Sequence, residues 1–185
     1  MANRLTKIYT RTGDKGETGT ATGERVAKDS AIMQAQGDVD ELNSLLGLLA
    51  CKLSGEIIAD VKTIQNDLFD LGGELSCAMP LLKAPRIDWL EQKLDQLNAE
   101  LPPLKEFILP GGGEAASICH LARAVCRRAE RTLVTASREN SLNENLLAYI
   151  NRLSDLLFVM ARFITRQQGE AEVYWQSARI EEASS

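Results

Sequence analysis

Two groups of residues in this chain have the types and spacing to handle an anion. The first lies between Tyr9 and Asp29, YTRTGDKGETGTATGERVAKD, with glycine at 13, 16, 19 and 23 and threonine at 10, 12, 18, 20 and 22. Successive backbone N–H groups in a glycine-rich turn form a concave nest for phosphate, and threonine hydroxyls add donors. Arg11, Lys15, Arg25 and Lys28 place positive charge nearby. The segment reads either as a phosphate-binding loop or as a flexible arm, because neither a Walker A pattern nor a GxGxxG fingerprint is present. The second group is HLARAVCRRAERTLV. Helical spacing puts His120, Arg123, Arg127 and either Glu130 or Arg131 along one stripe, opposite Ile118, Ala122, Val125, Cys126, Ala129 and Leu133. Arginine forks onto phosphate or carboxylate with a charge independent of pH. Only Glu130 offsets Arg123, Arg127, Arg128 and Arg131, so the stripe is either a solvated face or the seat of an outside anion or distant carboxylate.

Carboxylates that answer such arginines occur in QGDVDELNS, where Asp38, Asp40 and Glu41 follow a glycine, Gly37, that would permit close approach by another helix. An ion pair from Asp40 to an arginine fits that placement. In YINRLSDLLFVMARF, Asn151, Ser154, Asp155 and Phe158 share one side and Ile150, Leu153, Leu157 and Ile164 another. An asparagine buried there needs partners, from a neighbouring helix or from a nucleotide. Other chemistries are excluded. A single histidine, His120, cannot supply a two-metal carboxylate–histidine site, zinc-ligand spacings are absent, and no GxSxG elbow accompanies it. No metal-ligating set of side chains is assigned. The cobalamin-ligating pattern Asp-x-His-x-x-Gly is absent too.

The elements that must hold these residues are almost all helical. Apolar stripes predict helices over about 31–52, 57–77, 88–101, 114–138 and 144–168, with Pro80 and Pro85 as breaks and Ser141 and Asn143 as caps. Strand signals are nearly absent; only the stretch around Ile8 and Tyr9 could be extended, because glycine density disfavours regular structure in the loop. The fold class is all-α: a five-helix bundle over about 31–168, preceded by the Gly/Thr-rich loop of residues 1–30 and followed by a tail, 169–185, in one domain. With 185 residues, 21 Lys plus Arg, 26 Asp plus Glu and a net charge of −5, a general nucleic-acid surface is not expected. No apolar run predicts a membrane span, and the first residues do not read as a secretory signal. Cys51, Cys77, Cys119 and Cys126 form no CxxC pair and read as reduced, buried thiols of a cytoplasmic protein.

Four blocks in order, YTRTGDKGETG with GERVAKD, then GDVDELNS, then FILPGG leading into HLARAVCRRAER, and finally YINRLSDLLFVMARF, resemble the PduO-type ATP:cob(I)alamin adenosyltransferases over about residues 9–163. The resemblance implies a homotrimer with active sites between subunits, transferring the 5′-deoxyadenosyl group of ATP to the cobalt of cob(I)alamin and releasing triphosphate. It further implies that Thr10, Arg11, Thr12, Gly13, Thr18, Gly19 and Lys28 hold the triphosphate. Arg127, Arg128, Glu130, Arg131 and Asn151 would complete the nucleotide site. By the same likeness Asp40 pairs with Arg123 across the subunit boundary and Phe107 crowds the lower face of the corrin. Mg²⁺ would bridge phosphate oxygens, and a flavin-dependent reductase and a cobalamin-dependent client enzyme are the implied partners. The chain departs from the usual pattern at Thr20, Ile32 and Gln36. A non-catalytic bundle that binds ATP or cobalamin as a chaperone, and a plain helical interaction protein, are the competing expectations.

Overall fold

The computed structural model describes residues 9–77 and 79–176. Five helices carry the fold: α1 (Ala31–Ala50), α2 (Ile57–Cys77), α3 (Pro85–Ala99), α4 (Glu114–Glu139) and α5 (Glu144–Gln167). Each buries one stripe at three- and four-residue spacing, such as Ala35, Val39, Leu42, Leu46 and Leu49 on α1 and Val61, Ile64, Leu68, Leu71 and Leu75 on α2. α4 packs on both α1 and α5, α2 lies on the outer side of α1, and α3 lies against α5. α5 is the most enclosed helix; Leu146, Tyr149, Ile150, Leu153, Leu156, Leu157, Met160 and Ala161 are fully buried.

Polar contacts join the outer helices. Asp67 on α2 accepts both arms of the Arg86 guanidinium at 2.8 Å each and the Tyr149 hydroxyl at 2.8 Å. Tyr149 is fully buried, and burial and the neighbouring Asp67 carboxylate push its hydroxyl well above the ordinary tyrosine range. Lys93 on α3 reaches Asp60 on α2 at 2.9 Å. Asn143 caps α5, accepting from the Asn145 N–H at 3.0 Å and donating to the Leu82 carbonyl at 3.1 Å.

Several expectations need correction. α3 starts at Pro85 and not at 88: proline is tolerated in a first helical turn, whose N–H groups have no partner inside the helix. The loop contains a small antiparallel hairpin, β1 (Glu17–Gly19) with β2 (Arg25–Ala27), pairing Glu17 with Ala27 and Gly19 with Arg25. Its turn closes through Thr20 N–H to Glu24 O at 2.8 Å, with Gly23 at φ +88°, so glycine here serves a turn and does not loosen the chain. Tyr9 lies outside both strands, and Ile8 falls outside the described residues. Of the four free cysteines, Cys119 and Cys126 are buried, Cys77 is half-buried and Cys51 is exposed. Nothing approaches Gly37, which is exposed. Among the described residues no helix is long and apolar enough to cross a membrane.

Candidate active site

The hairpin shapes the glycine loop. Arg25 donates to the Thr12 carbonyl at 2.7 Å and to Glu17 Oε2 at 3.1 Å, and the Lys28 N–H donates to the Gly16 carbonyl at 2.9 Å. These bonds fold residues 12–16 back onto β2. Gly13 lets the turn lie close under Lys28: a Cβ there would sit 3.1 Å from Lys28 Nζ and 3.3 Å from the Glu17 carbonyl oxygen. Lys28 is therefore presented over the turn, exposed, and among the described residues no carboxylate lies within ion-pair distance of it. Arg11 adopts a left-handed φ of +62°, an unfavourable conformation for a residue with a Cβ. The Thr10 and Thr12 hydroxyls share a hydrogen bond at 2.8 Å beside it. Thr18 and Gly19 sit in β1 opposite Val26 and Arg25. Backbone strain, clustered hydroxyls and an unpaired ammonium are the makings of an anion site.

The arginines of α4 divide between two faces. Arg128 turns to α1, bonding Asp38 Oδ1 at 3.0 Å and also Glu41, while Thr132 Oγ1 donates to Asp38 Oδ2 at 2.9 Å. These carboxylates and the hydrogen bond to Asp38 first of all raise the Arg128 pKa. Arg128, expected at the nucleotide, thus has its charge met inside the chain. Arg127 and Arg131 are exposed and make no ion pair among the described residues; Arg131 Nη1 donates to the Arg127 carbonyl at 3.0 Å. Asn151 on α5 is exposed, contrary to the expected burial, and donates to Glu130 Oε1 at 2.8 Å. A helix-to-helix contact satisfies it.

Arg123 lies where two clefts meet. One, of about 380 Å³, is polar on the Arg127 side and includes Asn98, Ser154 and Asp155; the other, of about 500 Å³, is lined by Leu104, Phe107, Ile108 and Phe158 together with Lys105 and Glu106. Arg123 stacks 5.9 Å from the Phe158 ring centroid, and its buried Nε has no hydrogen-bond partner. Asp40, the expected partner, is exposed on α1, and the structure does not bring the two together within one chain. His120, placed by its spacing on the polar stripe, is only 4% exposed and packs edge-on against Phe158. Burial, and next the Arg123 charge, lower its pKa, so it is neutral near pH 7.

Phe107 is 73% exposed yet firmly held. Its carbonyl accepts from the Trp175 N–H at 2.7 Å, and the Leu109 N–H donates to the Val173 carbonyl at 2.8 Å, around the bridge of Ile108 with Tyr174. Directly opposite residues share a face of such a ribbon, and the Phe107 and Trp175 rings meet edge-to-face at 6.2 Å. Trp175 and the residues around it carried no signal in the helical pattern; the high β-propensity of Val173, Tyr174 and Trp175 marks an extended segment without naming its partner. The hairpin is tied to the bundle through α2, where the Ala21 N–H donates to the Ser76 carbonyl at 3.2 Å. The cleft behind the hairpin, about 370 Å³, is lined by Thr20, Glu24 and Ile32 on one side and Asn140 to Asn143 on the other, with no cation. Among the described residues no hydrogen bond joins residues 9–30 to Arg127, Arg131 or Asn151.

The model of the cobalamin adenosyltransferase family matches residues 8–164, and the chain belongs to that family. It is 53% identical over 182 residues to a cobalamin adenosyltransferase of Cupriavidus metallidurans, covering 97% of this chain and 99% of the relative. It is 42% identical to a corrinoid adenosyltransferase of Bacillus subtilis, covering 94% of each. Among solved structures, a phenylalanine-to-alanine variant of the PduO-type ATP:corrinoid adenosyltransferase from Lactobacillus reuteri, complexed with cobalamin and ATP, superposes with a TM-score of 0.86 at 35% identity, covering 92% of this chain and all of that one.

Proposed function

We propose that this protein transfers the 5′-deoxyadenosyl group of ATP to the cobalt of cob(I)alamin, at sites formed between subunits of a homotrimer. The observation that carries the reading is Arg123, which with Phe158 lines both a polar cleft holding Arg127 and Asp155 and a mainly apolar cleft beside Phe107: a nucleotide and a corrin bound there would meet at their common edge. The loop of one subunit, with Thr10, Thr12, Gly13 and Lys28, grips the triphosphate, while Arg127 and Arg131 of its neighbour close on the same phosphates. Glu130 and Asn151 act as a bonded pair that orients the nucleoside. Arg128 contributes by fixing α4 on α1, which leaves Arg127 and Arg131 pointing outward. Asp40 of a neighbouring subunit supplies the partner that Arg123 Nε lacks.

The chemistry asks little of the side chains as acids or bases. Co(I) donates its electron pair to the ribose 5′-carbon; the cobalt–carbon bond forms as the bond from that carbon to the triphosphate oxygen breaks, and triphosphate leaves with the electrons of that bond. The protein aligns the two centres and stabilises the charge growing on the leaving oxygen, the work of fixed loop amides, Lys28, Arg127 and Arg131. Phe107 fills the space below the corrin, keeping water and a lower axial base away and so easing the prior reduction to Co(I). Mg²⁺ would arrive on the triphosphate. We place the protein in the cytoplasm, served by a flavin-dependent reductase and delivering to a cobalamin-dependent enzyme.

The test incubates the protein with ATP, Mg²⁺ and chemically reduced cobalamin and follows a light-labile alkylcobalamin by its spectrum. Product formed in proportion to enzyme and time supports the reading. Folded protein that binds both substrates and yields none would make it a carrier and overturn the enzymatic assignment.

A further inference from the structure

The two strands of the Phe107 ribbon leave the bundle at separate points, and one buried side chain bonds the residue just before one strand and a carbonyl five residues ahead of the other. Arg162 on α5 is 4% exposed. Its Nε donates to Glu172 Oε1 at 2.6 Å, and its Nη2 donates to Glu172 Oε2 at 3.3 Å and to the Pro102 carbonyl at 2.9 Å. Pro102 begins the connection that leads to Phe107, and Glu172 immediately precedes the Val173–Trp175 strand. A two-stranded ribbon of this length is marginal on its own. A guanidinium holds two directions at once because its donors form a rigid fork, which a flexible ammonium cannot reproduce. One turn further along α5, Thr165 seats the other end of the connection: a Cβ on Gly112 would collide with its Oγ1 and lie 2.7 Å from its Cγ2.

We propose that Arg162 is a positioning residue for the reaction, holding Glu172 and the Pro102 carbonyl in one guanidinium so that the ribbon, and with it the Phe107 ring, keeps a fixed place under the corrin. This rests on the role given to Phe107 above. Arg162 touches neither substrate; it acts through the backbone bonds of Phe107 and Leu109 with Trp175 and Val173. Phe107, Leu109, Val173, Tyr174 and Trp175 are all exposed, so the ribbon takes its fixed place from its ends and not from burial of its own side chains.

The test compares Arg162→Lys, which retains the buried charge without the fork, with the unaltered protein and with Phe107→Ala. Hydrogen exchange is read at the Leu109 and Trp175 amides, and the spectrum of cob(II)alamin is read with ATP bound. Arg162→Lys should speed exchange at those two amides by roughly tenfold while the α1 core amides keep their rates. It should also shift cob(II)alamin toward the form that keeps a lower axial ligand, lower kcat by roughly tenfold and leave the KM for ATP unchanged. Unchanged exchange at Leu109 and Trp175 would overturn the latch. Should exchange accelerate throughout the bundle, Glu172→Asp, which keeps the counter-charge of Arg162 but shortens the strand's anchor, decides by the same local reading; general acceleration there too overturns the proposal. A Phe107→Ala spectrum identical to that of the unaltered protein would instead refute the role of Phe107, while the exchange result still judges the latch.

Discussion

Replacing Arg127 and Arg128 separately, each by alanine, distinguishes two neighbouring cations that sequence alone treats as equivalent. Arg127 is exposed and makes no ion pair among the described residues, so its removal should change stability by no more than about 0.5 kcal/mol. If it meets charge that develops on departing triphosphate, losing one such donor should cost about 10²–10³ in kcat, or roughly 3–4 kcal/mol of transition-state stabilisation. Arg128 has the opposite profile. Its side chain is 40% exposed, so solvent screens its pairs with Asp38 and Glu41, and their loss should cost about 1 kcal/mol or less of folding stability. Asp38, 18% exposed, still keeps Thr132 as a donor. The turnover defect of Arg128→Ala should therefore be the smaller one, arising through a shifted α4. Urea denaturation gives the stability of each variant, and single-turnover adenosylation at saturating ATP gives the rate. Arg127→Ala that unfolds readily while turning over at the normal rate would refute the assignment of the two faces.

Tyr149→Phe removes the buried hydroxyl that donates to Asp67, a bond to a charged acceptor, and should lower unfolding free energy by about 1.5–3 kcal/mol in urea titrations; a change near zero would show the network is slack. His120 contributes a pH dependence. Burial and Arg123 lower its pKa while Glu172 opposes them, so the unfolded chain takes up the proton first. Stability should then fall as pH drops below about 6.5, and His120→Gln should flatten that slope; identical slopes would exclude His120 as its source.

How much of this could be read beforehand varies by element. α2 was legible to the residue, Ile57 to Cys77, because its apolar stripe is uninterrupted and bounded by breakers. Pro85 was misread as an interruption since the same residue that ends a helix also opens one. The hairpin was hidden because three-residue strands leave no periodic trace and their pairing depends on a turn whose glycine looked like a source of looseness. Arg127 and Arg128 could not be told apart until α1 was in place, since adjacent helical positions differ by only about 100° and the deciding partners, Asp38 and Glu41, come from elsewhere. Asn151 looked buried beside Ile150, but it faces outward toward Glu130. The Phe107 ribbon depends on residues 172–175, beyond the last helix, where no local pattern announced a partner.

The central claim is that loop and arginines converge on one triphosphate from different subunits, and mixing two inactive variants tests it most directly. Lys28→Ala and Arg127→Ala proteins, each without appreciable turnover, are unfolded together and refolded at equal amounts so that subunits assort at random. If every site takes its loop from one subunit and its arginines from the next, about a quarter of the sites regain both and a corresponding share of activity returns. A mixture as inactive as its two components would contradict the account, because that is the outcome when each chain must supply both groups to its own site.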